Sequence, residues 1–157
     1  MKFSCHLNNK SIVTEVQADE SLRSVLVRLG CLSVRDSDDG EGFAGSDTVL
    51  VDNLPVFANL LYALEAEGAH IRTAESLANK GELSVVQQAL IDAGVVGSAY
   101  KAPAAALLLT WLLERDPDPT KEAIKETLSG LLIRDSGYEH YFLAIQLAKE
   151  YAKKRLV

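Results

Sequence analysis

Between Ala74 and Glu82 the hydrophobic pattern of this chain changes period, and that change divides it into two different kinds of folding unit. Before the change, apolar and polar residues alternate in short runs. Phe3, Cys5 and Leu7 are separated by polar neighbours, and Ile12-Val13-Thr14-Glu15-Val16 is rich in β-branched residues. Asn8-Asn9-Lys10 between them is turn chemistry, so the stretch predicts a β-hairpin. Asp19-Glu20-Ser21 offers an N-cap, Leu22, Val25, Leu26 and Leu29 recur at helical spacing, and Gly30 stops the helix. Residues 33–46 are rich in Asp, Ser and Gly and read as a long loop. Thr48–Val51 reads as a short buried strand, Asp52-Asn53 as a turn and Leu54–Phe57 as a strand. A helical turn over Leu60–Leu64 and a last strand near His70–Thr73 follow.

After the change the spacing is helical. Ser84 can cap a helix carrying Val85, Val86, Ala89, Leu90 and Ile91, ended by Gly94. Pro103 is placed to start a helix that runs through Leu113. Asp116-Pro117-Asp118-Pro119-Thr120 is a rigid break whose threonine caps a helix bearing Ile124, Leu128 and Leu131. Tyr138–Tyr151 is the final amphipathic segment. The expected fold class is α+β. A β-grasp domain over residues 1–75 is followed by a four-helix bundle over residues 76–157.

A formal net charge of −6, with acids spread along the chain, argues against non-specific nucleic-acid binding, which requires a cationic surface. Lys153-Lys154-Arg155 is short and reads as a solvated helix end. Met1–Leu7 lacks a signal-peptide core, and Ala104–Leu113 falls far short of the ~20 apolar residues that span a bilayer. A cytoplasmic location with no membrane association is therefore expected. The two cysteines, Cys5 and Cys31, suit a reducing compartment and read as small buried hydrophobes, with a disulfide between them as the alternative.

Several phrases carry a family resemblance. Gly40-Glu41-Gly42, Gly45, Thr48-Val49-Leu50-Val51-Asp52 and Pro55-Val56 resemble the ferredoxin-like half of the small subunit of xanthine dehydrogenases and aldehyde oxidases. Val85-Val86-Gln87-Gln88-Ala89, Pro103, the Asp116–Thr120 break, Leu128-Ser129-Gly130 and Gly137-Tyr138 resemble its helical half. In that family each half holds one 2Fe–2S cluster on four cysteines. The resemblance sets Asp39, Ala44, Asp47 and Asn59 at the first ligand set, and Ser98, Lys101, Ile133 and Asp135 at the second. Every implied thiolate is replaced.

The chemistry reaches the same point without alignment. Such a cluster is held by four thiolates, or by two thiolates and two histidines. This chain owns two cysteines and three histidines, His6, His70 and His140, scattered along the sequence without ligand spacing. Alanine and isoleucine have no donor atom, a protonated lysine repels a cation, and carboxylates match soft sulfur-loving iron poorly. Electron relay through clusters in this chain is excluded.

Asp36, Asp38, Asp39, Glu41 and Asp47 fail the calcium-loop test. With Gly40 at the turn position, Arg35 and Ser37 fall where acids are needed and Ser46 where the closing glutamate should be. A solvated or partner-facing loop is expected, with weak divalent-ion binding as the alternative. At the second emptied site the expectation is a Lys101–Asp135 ion pair beside Ser98 and Ile133, its rival a Lys101 that reaches water over its own stem. The family's pterin-facing glutamine corresponds to Gly97, and Tyr100 reads as packing.

The resemblance thus implies a non-redox scaffold with no catalytic residue and no cofactor of its own. It would serve a large molybdopterin-binding subunit, with a medium subunit as a further candidate partner. Loss of both clusters implies a reaction with no net electron flow, such as hydration, isomerisation or transhydroxylation. The alternatives are a spacer in a redox complex whose electrons leave by another route, and a free-standing binding module.

Overall fold

The structure is a computed structural model that describes residues 1–35, 44–79, 81–95, 100–132 and 137–155. It divides into two compact units, Met1–Ser76 and Leu77–Val157.

The first unit is a mixed five-stranded sheet in the order β2-β1-β5-β3-β4. Its strands are β1 (Lys2–Leu7), β2 (Lys10–Glu15), β3 (Thr48–Val51), β4 (Leu54–Phe57) and β5 (His70–Arg72). β1 and β5 run parallel, and the remaining neighbours are antiparallel. Both hairpins close through the same two-residue turn. Asn8 and Asn9 have φ of 47° and 66°, and Asp52 and Asn53 have φ of 47° and 65°. Positive φ at both central residues matches the right-handed twist of the flanking strands, and Asn and Asp tolerate it better than other non-glycine residues.

Helix α1 (Leu22–Arg28) begins where Ser21 Oγ accepts the Ser24 N–H at 3.2 Å, and Gly30 leaves it at φ 94°. Its Leu22, Val25 and Leu26 share one core with Phe3, Cys5, Leu7 and Ile71 of the sheet. Burying each large apolar side chain contributes about 1.5–3 kcal/mol, and this face is what packs the helix onto the sheet.

The helical turn expected over Leu60–Leu64 is instead a 3-10 turn at Ala63–Ala66. The backbone ahead of it is already engaged. Leu22 N–H donates to the Leu61 carbonyl and Ala63 N–H to the Glu20 carbonyl, holding 61–62 extended beside the start of α1. A second 3-10 turn, Ala74–Ser76, ends the unit.

The second unit contains α2 (Val85–Asp92), α3 (Ala102–Arg115), α4 (Lys121–Thr127) and α5 (Tyr138–Arg155). Ser84 and Gln87 cap α2 reciprocally: Ser84 Oγ accepts the Gln87 N–H at 3.2 Å, and Gln87 Oε1 accepts the Ser84 N–H at 2.9 Å. Residues 104–109 of α3 are all buried, so α3 is the central helix of this core. Thr120 caps α4 through the Ala123 N–H at 3.1 Å.

One expectation shifts here. α4 stops at Thr127, because the Ser129 and Leu131 amides bond back three residues and tighten the chain. Leu131 still reaches the core from that turn. Ile91 lies in α2 as expected and is 49% exposed. Among the described residues, a β-grasp-like sheet with one α-helix, followed by four α-helices, is the architecture found. Among the described residues, no helix is long and apolar enough to cross a membrane.

Candidate functional site: two emptied ligand sets

The described part of the first set flanks the β3–β4 hairpin at its open end. Asp47 is 2% exposed immediately before β3, and Asn59 sits two residues beyond β4. Asn59 N–H donates to Asp47 Oδ2 at 2.7 Å, and Ala58 N–H donates to the Asp47 carbonyl at 3.2 Å. Thr48 Oγ1 donates to the Gly45 carbonyl at 2.6 Å, closing the turn that carries Asp47. Asp47 and Asn59 are thus brought together and bonded, while Ala44 precedes that turn. A buried carboxylate needs such donors to remain in place. Asp39, with Asp36, Asp38 and Glu41, lies outside the described residues.

Of the second set, Lys101 is half-buried at the N-terminus of α3, where its carbonyl accepts the Ala105 N–H at 2.9 Å. Ser98, Ile133 and Asp135 lie outside the described residues, as does Gly97, so the expected Lys101–Asp135 pair lies there too. Tyr100, read as packing, is 50% exposed.

Both cysteines belong to the first unit and are free, buried thiols. Burial pushes the Cys5 thiol up, and the charge of Glu67 and the neighbouring Cys31 add to this. Burial also pushes Cys31 up, against an opposing hydrogen bond with Thr73, with the Glu75 charge raising it further. Cluster ligation needs thiolates, and these sites disfavour the thiolate. The second unit contains no cysteine at all. The residues present do not fit a 2Fe–2S cluster in either half.

A polar network that the sequence did not reveal ties the opening of the 33–46 segment to the end of the sheet. Ser33 N–H and Oγ donate to Glu75 Oε1 and Oε2 at 2.7 and 2.5 Å, and Thr73 Oγ1 donates to Glu75 Oε2 at 2.6 Å. Asn8 then grips Thr73 twice, its Nδ2 donating to Thr73 Oγ1 and its Oδ1 accepting the Thr73 N–H. Partial burial raises the Glu75 carboxyl, but the Ser33 and Thr73 hydrogen bonds outweigh it and hold the group below its ordinary range. Among the described residues, no group of three or more His, Cys, Asp and Glu side chains could hold a metal ion.

Known proteins resemble this chain over nearly its whole length. The family model described as a 2Fe-2S binding domain matches residues 73–146. The probable hypoxanthine oxidase XdhD of Escherichia coli K12 is 49% identical over 142 residues, covering 90% of this chain and 15% of that protein. The nicotinate dehydrogenase small FeS subunit of Eubacterium barkeri is 34% identical over 142 residues, covering 90% of this chain and 84% of its own length. Quinoline 2-oxidoreductase from Pseudomonas putida 86 superposes with a TM-score of 0.89 at 27% identity, over 98% of this chain and 96% of that one. The chain belongs to the family of small iron–sulfur subunits of the xanthine dehydrogenases and aldehyde oxidases. It spans only a small part of XdhD, in which the matching segment is one portion of a longer polypeptide.

Proposed function

We propose that this chain is a non-redox structural subunit or domain of a molybdenum-hydroxylase-like assembly. The molybdopterin-type cofactor would lie in a large partner portion, with a medium subunit as a further component, and Asp39, Ala44, Asp47, Asn59, Ser98, Lys101, Ile133 and Asp135 would be vestigial ligand positions. One observation carries this reading. The family fold is kept over nearly the whole chain while the thiolates that give it electron transfer are absent. A fold retained without its cofactor suits a surface that other parts of an assembly still need. Conversion of a small organic substrate with no net electron flow, by hydration, isomerisation or transhydroxylation, requires no cluster wire.

A specific observation favours a second reading. The relative at 49% identity is named a probable hypoxanthine oxidase, and an oxidation must pass its electrons on. In that case the chain is a spacer, and electrons leave by a route that avoids it.

The high apolar density of Ala102–Leu113 adds nothing for docking, since most of it is consumed in the core of its own unit. The deciding experiment isolates the native assembly through this chain and measures molybdenum, iron and the visible spectrum. Molybdenum without iron–sulfur absorption from this chain supports the scaffold. Hypoxanthine oxidation by that assembly with an artificial acceptor would favour the spacer over the non-redox reading. Recovery of the chain alone, without metal, would overturn both and leave a free-standing binding module.

A further inference from the structure

His6 and His70, far apart in sequence, are neighbours in the fold. They are directly paired in the parallel register of β1 and β5. Their rings stack with centroids 4.6 Å apart and planes 14° from parallel. That spacing is essentially the ~4.8 Å separation of neighbouring strands, so the two imidazoles stand out from the sheet side by side. Both residues are exposed, on the face opposite the buried Phe3, Cys5 and Leu7.

We propose that His6 and His70 form a two-imidazole site for a borderline divalent cation, copper(II), nickel(II) or zinc(II), with water completing the coordination. Imidazole is the side chain best matched to these ions. An ion must lie in the plane of each ring ~2.0–2.1 Å from its nitrogen, so binding requires the two exposed rings to turn out of their stack until their lone pairs converge. Ser11 Oγ lies 3.3 Å from His6 Nδ1. In the tautomer protonated at Nδ1, the Ser11 oxygen accepts a hydrogen bond from that N–H and Nε2 is left with its lone pair free for a metal, the arrangement that metal-binding histidines use. Asp52 Oδ1 accepts the His70 backbone N–H at 2.9 Å, which brings a negative charge close to the pair. A bound ion would cross-link β1 to β5 and stabilise the sheet in proportion to its occupancy. This site uses no residue of either emptied ligand set and does not depend on the scaffold reading.

The test titrates the full chain with each metal chloride alone, by calorimetry, and records the electron paramagnetic resonance of the copper(II) form. One ion per chain is expected, with two nitrogen ligands in the copper spectrum. His6→Asn and His70→Asn should each weaken binding at least ~10-fold, a first ligand mattering no less than the outer-shell groups whose loss has that effect. His140, whose Nδ1 lies 2.9 Å from the Ala93 carbonyl, is the internal control, and His140→Asn should bind normally. Absence of binding, a copper spectrum with one nitrogen or none, or binding retained in the doubly substituted chain would overturn the proposal. The spectrum of the unsubstituted chain decides the matter even if a variant fails to fold.

Discussion

Asp47 and Asn59 are bonded to each other across the mouth of the β3–β4 hairpin, through the Asn59 N–H and the buried Asp47 carboxylate at 2.7 Å. Asp47→Ala removes that charged acceptor from a partly buried amide, for an expected loss of about 1–3 kcal/mol of stability. Asp47→Asn keeps an acceptor oxygen and should lose less. Urea denaturation ranks the two variants, and faster hydrogen exchange at the Asn59 amide in Asp47→Ala identifies the cause. An unchanged exchange rate there would show that the bond does not protect the amide.

Returning cysteines to Asp39, Ala44, Asp47 and Asn59 together tests their assignment as former ligand positions. The fourfold variant, supplied with iron and sulfide, should develop iron–sulfur charge-transfer absorption, since four thiolates complete the donor set. The unsubstituted chain should remain colourless under the same treatment. A folded fourfold variant that retains no iron would refute the assignment.

Glu75 gives the fold a calculable acid sensitivity. Its carboxyl is held below the ordinary range in the folded protein, because the Ser33 and Thr73 hydrogen bonds exceed the opposing effect of partial burial. A carboxylate so lowered contributes stability that is fully present above the unfolded value, about 4.3 for glutamate. That contribution is lost as the pH falls through the lower folded value. Glu75→Gln should therefore show a flatter decline of stability below about pH 4–5 than the unsubstituted chain, in denaturant titrations across that range. An identical pH profile would mean that Glu75 is not held in this way.

Cys5 and Cys31 should be inert to an aromatic disulfide reagent in the folded protein. Both are buried, at 3% and 4% exposure, and burial raises both thiols. In denaturant both free thiols should titrate at once. Rapid reaction in the native state would show that the first unit opens readily, while fewer than two thiols after unfolding would restore the disulfide alternative.

What could be read from the sequence was local. Asn8-Asn9 and Asp52-Asn53 announce their turns because few side chains accept positive φ, and Ser21, Ser84 and Thr120 announce helix starts because their oxygens replace missing acceptors. The histidines looked scattered for the complementary reason. The parallel register that brings His6 beside His70 joins strands distant in sequence, and no local chemistry records it. The same holds for Glu75, whose partners include Ser33 and, through Thr73, Asn8. The lack of cluster ligands was legible early, because two cysteines cannot supply four thiolates and the sequence shows no ligand spacing for a set of two cysteines and two histidines. The Lys101–Asp135 pair remains a sequence expectation, since Asp135 is outside the described residues.

The closure of the β3–β4 segment by Asp47 also bears on how this domain is made. A hydrogen bond between a side chain and a main-chain amide forms as the polypeptide folds, from atoms the ribosome has already supplied. Nothing has to be scavenged, delivered or inserted afterwards, and oxygen cannot destroy it. At this corner, biogenesis ends with folding itself.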